Sequence, residues 1–395
     1  MVWMGRRPWQ RQVRGAPPDT GRWPAMIDAA RLRSLASTPN ATGRVRSYLG
    51  EAYESRKRIF TWPIVMTYTA FLKEIGRGER SSRDLGFDQA RVLFGAMLDG
   101  GVPDLELGAI VQSLRFKTES LSELLGFHLA LDGRIAQLKS PDADLKPVII
   151  PSYNGARRQA NLMPLLVMLL KRLGIPVLVH GVLESEGRVA AAYVFRELGL
   201  LPQANSRQAQ EALSRDGIAF VPIGALSPGL SNLLALKSRL GVRNVAHTMA
   251  KLIDPFSADG AGGLRMVSVT HPAYADKLRD FFAESPGAAL LMRGTEGEAF
   301  ANPKRRPQIE FFTGAASEVL FEAEHGSIKS LPNLPDQCDA RTTATWIRAT
   351  LDGEHPIPLP LINQLACCLY ATGYSTDFSQ AKAIAAVKGR VPQAA

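Results

Sequence analysis

Residues 146–180 read KPVIIPSYNGARRQANLMPLLVMLLKRLGIPVLVH. A short apolar run, 147–150, leads into the polar loop Pro151–Asn161. A helical segment follows over 161–173, then Gly174, then a second apolar run, Val177-Leu178-Val179-His180. Asn161 is the expected N-cap. Pro164 falls in the first turn, where a missing N–H is harmless, and Gly174 is the expected stop. Strand, helix and strand in this order form a βαβ unit, so the two strands are expected to be parallel.

The same alternation continues towards the C-terminus. Further strands are expected at 218–222, 264–269, 288–292 and 308–312. Helices are expected near 187–198, 206–215, 228–240, 272–284, 340–350, 359–371 and 378–388. Before the βαβ unit the pattern is helical from 26 to about 135. Asp88–Asp99 has helical apolar spacing and ends at Gly100-Gly101. Leu105–Leu114 follows Pro103, and Ser120-Leu121-Ser122-Glu123 is a capping box that opens a third helix. The fold class is therefore α/β: an N-terminal helical domain (26–135) followed by a larger α/β domain (136–395) with a mainly parallel central sheet. Helices around 228–253 are candidates to pack on the helical domain.

The chain has 395 residues, a hydrophobic fraction of 46%, a charged fraction of 21% and a net charge of +10. This is ordinary globular material for more than one packed unit. Residues 1–25 hold five arginines and one aspartate, so +4 of the charge lies there and +6 in the rest. That proline-rich stretch reads as a disordered extension, or as translation upstream of a start at Met26. It has no apolar h-region, and no window of the chain is long and apolar enough to span a bilayer. Three cysteines, two of them the adjacent Cys367 and Cys368, form neither a disulfide framework nor a metal-ligand pattern, so the expected compartment is the cytoplasm. The sequence lacks a Walker loop, a G-x-G-x-x-G after a strand, H-E-x-x-H and G-x-S-x-G. Asp259–Gly263 is glycine-rich but precedes a strand, and reads as a turn. A basic balance permits a polyanionic partner without requiring one.

Several motifs, in order, resemble one family. Leu98-Asp99-Gly100-Gly101-Val102-Pro103-Asp104-Leu105-Glu106-Leu107-Gly108-Ala109-Ile110, with Leu114–Leu124, is similar to the helical module of anthranilate phosphoribosyltransferases and pyrimidine nucleoside phosphorylases (glycosyltransferase family 3). Gly241-Val242-Arg243-Asn244 and Lys251-Leu252-Ile253-Asp254-Pro255 resemble a second stretch of the anthranilate enzymes. The resemblance implies a nucleoside phosphorylase/phosphoribosyltransferase type of fold. Such enzymes hold phosphoribosyl diphosphate with a Gly-Thr-Gly-Gly-Asp loop, a Lys-His-Gly-Asn-Arg segment and an acidic pair on Mg²⁺. Here the glycine loop reads Pro151-Ser152-Tyr153-Asn154-Gly155, and the lysine segment reads Val179-His180-Gly181-Val182-Leu183. Ser152, Gly155, His180 and Gly181 are thus a vestigial phosphate loop. The nearest acids, Glu296 and Glu298, would face opposite sides of a strand, or a loop would bring them together. These departures, with the Pro-Ser-Tyr-Asn-Gly-Ala-Arg-Arg-Gln-Ala-Asn-Leu run, resemble the YbiB-type branch. That resemblance implies a homodimer that binds DNA or RNA without evident sequence preference, with no cofactor, no metal and no catalytic residues. The alternative is a glycosyl or phosphoribosyl transferase with a remodelled loop, in which Arg157 and Arg158 replace the lost glycine donors.

The candidate nucleic-acid-binding residues are chosen for phosphate chemistry. Arg157 and Arg158 sit just before a helix N-terminus, where guanidinium and helix dipole both favour an anion. Tyr153 and Asn154 either contact a base or phosphate, or shape the turn. Lys304, Arg305 and Arg306 lie between Pro303 and Pro307, and Arg77, Arg80 and Arg83 cluster among glycines and serines; each group is either a phosphate contact or solvated charge. Arg56-Lys57-Arg58 reads as an exposed helix face. His180 ends an apolar strand and reads as a core histidine.

Overall fold

The computed structural model describes residues 67–78, 81–260, 262–324, 326 and 333–388. Residues 1–25, Arg56-Lys57-Arg58 and Arg80 lie outside these.

Among the described residues, four helices come first: α1 (Tyr68–Ile75), α2 (Phe87–Leu98), α3 (Asp104–Lys117) and α4 (Leu121–Asp132). The capping box at the start of α4 is formed. Ser120 Oγ accepts from Glu123 N, and Glu123 Oε2 accepts from Ser120 N at 2.8 Å. The same buried Glu123 also accepts from Leu85 N at 2.9 Å and from Lys117 Nζ at 2.7 Å, so one carboxylate ties together three helix ends. The α/β part continues with β1 (Val148–Ser152), α5 (Met163–Arg172), β2 (Val177–Gly181), α6 (Ala191–Glu197), α7 (Ser206–Asp216) and β3 (Ile218–Pro222). Then come α8 (Pro228–Leu240), β4 (Leu264–Val269), α9 (Pro272–Glu284), β5 (Ala288–Arg293), β6 (Ile309–Thr313), β7 (Ala316–Phe321), α10 (Ala340–Leu351), α11 (Leu359–Ala371) and α12 (Phe378–Lys388).

The sheet order is β3-β2-β1-β4-β5-β6-β7; the first five strands are parallel and the last two antiparallel. Strand alternation divides the apolar side chains between two cores. Ile149, Leu178, Val267 and Leu291 face one, which they share with the helical bundle; Ile150, Val179, Met266 and Leu290 face the other, under α5, α6, α10 and α11. Both faces are covered, so the parallel strands are almost uniformly buried. Helix α8 packs on α2 closely enough that a Cβ at Gly229 would lie 2.1 Å from Leu98 O, which only glycine tolerates.

Three sequence expectations are corrected. Helix α5 begins at Met163 with Leu162 as N-cap, and Asn161 instead accepts from Met163 N two residues on, at 3.1 Å. Helix 187–198 shortens to α6, because Val189 pairs with Ala156 in an isolated bridge. Strand β7 was not anticipated: it is an edge strand whose first four residues are exposed, so it lacks the buried alternation that marks a strand in sequence.

Candidate functional site

The strand order reverses between β1 and β4, and in open α/β sheets ligands gather at the carboxyl ends of the strands at such a point. A cavity of about 440 Å³ lies there, lined by Tyr153 and Asn154 after β1, Ser268 and Thr270 around the end of β4, and Arg115, Lys237, Arg243 and Lys251 from the helical side. A second, more open cavity of about 470 Å³ adjoins it and shares Lys237, Arg243 and Thr270. Its remaining lining is Arg157, Arg158, Arg188 and Glu296.

The turn that carries Arg243 is built by its neighbours. Gly241 ends α8 in the left-handed region (φ 71°), where glycine is favoured. Asn244 donates from Nδ2 to Leu233 O at 2.8 Å and accepts from Ala246 N at 3.0 Å, while Arg115 Nη1 donates to Arg243 O at 2.7 Å. Lys251 Nζ donates to Ser268 O at 2.8 Å across the cleft floor. Burial, with repulsion from Arg243, lowers the Lys251 ammonium to about 8, and the same two causes lower His247 to about 4. At neutral pH the cleft therefore holds a charged lysine and a neutral histidine.

Loop 152–161 is held by two carboxylates from the segment after β5. Glu298 is buried; it accepts from Asn154 N at 2.8 Å, Gly155 N at 2.9 Å, Ser152 Oγ at 2.6 Å and Asn161 Nδ2 at 3.3 Å. Glu296 accepts from Arg158 N at 2.8 Å and Gln159 N at 2.9 Å, and pairs with Arg188 at 3.3 Å. Of the two arrangements open in the sequence, the structure has the loop and not the strand: a turn with Glu296 at φ 52° and Gly297 at φ 89° brings both carboxylates to one loop. Gly155 (φ 69°) is required, since a Cβ there would lie 2.9 Å from Val189 O; a Cβ at Gly181 would lie 1.9 Å from Ser152 O. Ser152, Gly155, His180 and Gly181 do converge, but as packing and hydrogen-bonding partners of this clamp.

Tyr153 and Asn154 are both buried. The Tyr153 hydroxyl lies 2.7 Å from His180 Nδ1, and Asn154 Nδ2 donates to Gly297 O at 2.6 Å. Both residues serve the turn, and both also line the first cavity. Burial lowers His180 to about 3, so it is neutral, as suits a core histidine. Arg157 and Arg158 are exposed at the open cavity. Among the described residues, Arg77, Arg83, Lys304, Arg305 and Arg306 line neither cavity. Arg77 and Arg83 pair with Glu74, and Arg306 pairs with Glu324 and lies over Phe321; Lys304 and Arg305 are exposed. Arg115, Arg188, Lys237, Arg243 and Lys251 were not singled out in sequence as anion ligands. The available signal was that Arg115, Arg243 and Lys251 fall within stretches that carry the family resemblance, Leu114–Leu124, Gly241–Asn244 and Lys251–Pro255. Among the described residues no three His, Cys, Asp or Glu side chains converge as a metal site, and no helix is long and apolar enough to cross a membrane.

A helical bundle set against a mainly parallel sheet, with a cleft at the switch point, defines a scaffold of the anthranilate phosphoribosyltransferase type. Residues 69–133 match the glycosyl transferase family helical bundle domain. The fold is similar to that of anthranilate phosphoribosyltransferase from Thermus thermophilus (TM-score 0.61, 18% identity, 78% of this chain and 91% of that one). It is also similar to the Saccharomyces cerevisiae enzyme in complex with PRPP and Mg (TM-score 0.60, 12% identity, 82% and 92%). In sequence, the anthranilate phosphoribosyltransferase of Novosphingobium aromaticivorans is 24% identical over 74% of this chain and 88% of its own length. The uncharacterised protein YbiB of Escherichia coli strain K12 is 47% identical over 80% of this chain and 97% of its own length. The chain belongs to the YbiB family of phosphoribosyltransferase-like proteins.

Proposed function

We propose that this protein is a sequence-nonspecific nucleic-acid-binding protein, holding the phosphate backbone of DNA or RNA on a scaffold no longer used for phosphoribosyl transfer. One observation carries the reading: five of the seven residues that line the open cavity are cations, Arg157, Arg158, Arg188, Lys237 and Arg243, drawn from separate segments of the chain. Lysine and arginine positioned without aromatic or amide groups free to read a base edge suit backbone contacts, which position a polymer and carry no sequence information. A homodimer would lengthen the basic track. Leu105 (83% exposed) and Phe116 (80% exposed) stand eleven residues apart on α3, on one face, and give such a dimer an apolar contact. The expected site of action is the cytoplasm.

Fluorescence anisotropy with labelled single- and double-stranded oligonucleotides of unrelated sequence tests this. Log K should fall with log salt by about 0.9 per phosphate contacted on duplex. Affinity independent of salt, or absent at low salt, rejects it. The transferase reading rests on the kinship with anthranilate phosphoribosyltransferases. It needs Glu296 or Glu298 on Mg²⁺; Glu298 is buried beneath four donors of loop 152–161, and Glu296 stands alone at the cavity wall. Calorimetry with phosphoribosyl diphosphate should give no saturable heat that a chelator abolishes.

A further inference from the structure

Glu296 is the one acid in the lining of the open, cationic cavity. Its Oε1 accepts from two successive backbone amides, Arg158 N and Gln159 N, and its Oε2 faces Arg188 Nη1. Two adjacent N–H groups and a guanidinium around one oxyanion make the donor set that a phosphate takes. Glu298 differs in every respect that matters for exchange. It is buried and has four donors, whereas the Glu296 side chain keeps 16% of its surface exposed and stands at the cavity wall. Glu296 is also, with Thr118, one of the two non-glycine residues at positive φ among the described residues, a conformation that carries strain.

We propose that the Glu296 carboxylate is an exchangeable stand-in for phosphate: a phosphate group of an incoming polyanion displaces it and takes over Arg158 N, Gln159 N and Arg188. This rests on the nucleic-acid-binding reading for the identity of the polyanion, but the nest itself does not. Displacement makes Glu296 an internal competitor. It lowers affinity for isolated phosphates and favours polymers, whose neighbouring phosphates are held by Arg157, Lys237 and Arg243.

The test uses Glu296→Gly, which suits the positive φ and empties the nest, and Glu296→Gln, which keeps the shape and removes the charge. Glu186→Gln is the control, since Glu186 is exposed on the neighbouring 182–187 loop and bonds nothing in the nest. Inorganic phosphate is titrated into each full-length protein at constant ionic strength, with the Arg158 and Gln159 amides followed by NMR. Glu296→Gly should bind phosphate at least ~fivefold more tightly than wild type, with both amides shifting, as expected for the loss of one competing charged acceptor. Glu296→Gln should fall between, and Glu186→Gln within about twofold of wild type, the scale of a screened surface charge. Equal affinities for all four proteins, or a gain in Glu186→Gln as large as in the Glu296 variants, overturn the proposal. If Glu296→Gly does not fold, the Glu296→Gln and Glu186→Gln comparison decides alone. Should none of the proteins bind an oligonucleotide while the phosphate titration behaves as expected, the nest stands and the nucleic-acid reading falls.

Discussion

Ser152 and Glu298 are 146 residues apart in the chain, and Ser152 Oγ donates to Glu298 Oε2 at 2.6 Å. With Asn154 N, Gly155 N and Asn161 Nδ2 on the same carboxylate, the end of β1 and its loop are held to the segment after β5 by a single buried group. Truncation would leave four donors buried and unsatisfied. Glu298→Ala should therefore destabilise the protein by about 3–5 kcal/mol, and Glu298→Gln, which keeps part of the acceptor capacity, by about 1–3 kcal/mol. Thermal and urea unfolding measure this. A Glu298→Ala protein as stable as wild type would mean that the clamp does not hold the loop.

Most of the scaffold was legible in the sequence because its local signals agree with its packing. Buried runs such as Val148–Ile150 and Val177–Val179, the capping box at Ser120 and the stop at Gly174 mark their elements whatever surrounds them. The site was legible only in part, for a physical reason. Contiguous cations stand out in a sequence; Arg157-Arg158 do line the open cavity, whereas Lys304-Arg305-Arg306 turn outward or pair with an acid. The cations that converge, Arg115, Arg188, Lys237, Arg243 and Lys251, are scattered singly along the chain, and only the fold brings them together. The spacing of two between Glu296 and Glu298 left strand and loop both open, because the turn at Gly297 is tertiary: its carbonyl is fixed by Asn154 Nδ2 and Ser268 Oγ.

Charge reversal separates the two kinds of basic cluster. Arg157→Glu with Arg158→Glu should weaken oligonucleotide binding by at least ~tenfold at low salt and reduce the salt slope by about one to two, equally for unrelated sequences. Lys304→Glu with Arg305→Glu carries the same change in net charge but lies outside both cavities, and should cost only about twofold to threefold. Anisotropy titrations compare the two. Equal losses would mean that net charge, and not the cavity, determines binding.

The depressed Lys251 ammonium gives binding a pH dependence of known sign. Only the protonated form attracts phosphate, so affinity should hold from pH 6 to about 8 and fall as pH rises past about 8. Lys251→Arg stays charged throughout and should flatten the curve. Stability moves the other way. Between about 8 and the ordinary value of 10.5 the unfolded chain binds more protons than the folded one, so stability should rise with pH across that window. His247, lowered to about 4, adds positive charge only in acid, beyond the range in which Lys251 titrates. Binding curves and unfolding midpoints at matched ionic strength check both signs. A wild-type curve as flat as that of Lys251→Arg would show that Lys251 does not meet the polyanion.

The apolar stripe on α3 makes the proposed dimer testable apart from nucleic acid. Leu105 and Phe116 each expose most of their surface, and Ala109 and Gln112 complete the face between them. Burying two such side chains in each protomer is worth about 1.5–3 kcal/mol per side chain, enough to set the position of a monomer–dimer equilibrium. Phe116→Asp with Leu105→Asp places charges where a dimer would be dry. In sedimentation at micromolar concentration the wild type should run as a dimer and the double variant as a monomer with an unchanged unfolding midpoint, since neither residue belongs to the protomer core. The monomer should bind a short oligonucleotide that fits one cleft nearly as well, and a longer one much less tightly, because linked clefts act through effective concentration. A double variant that still sediments as a dimer would move the interface off α3.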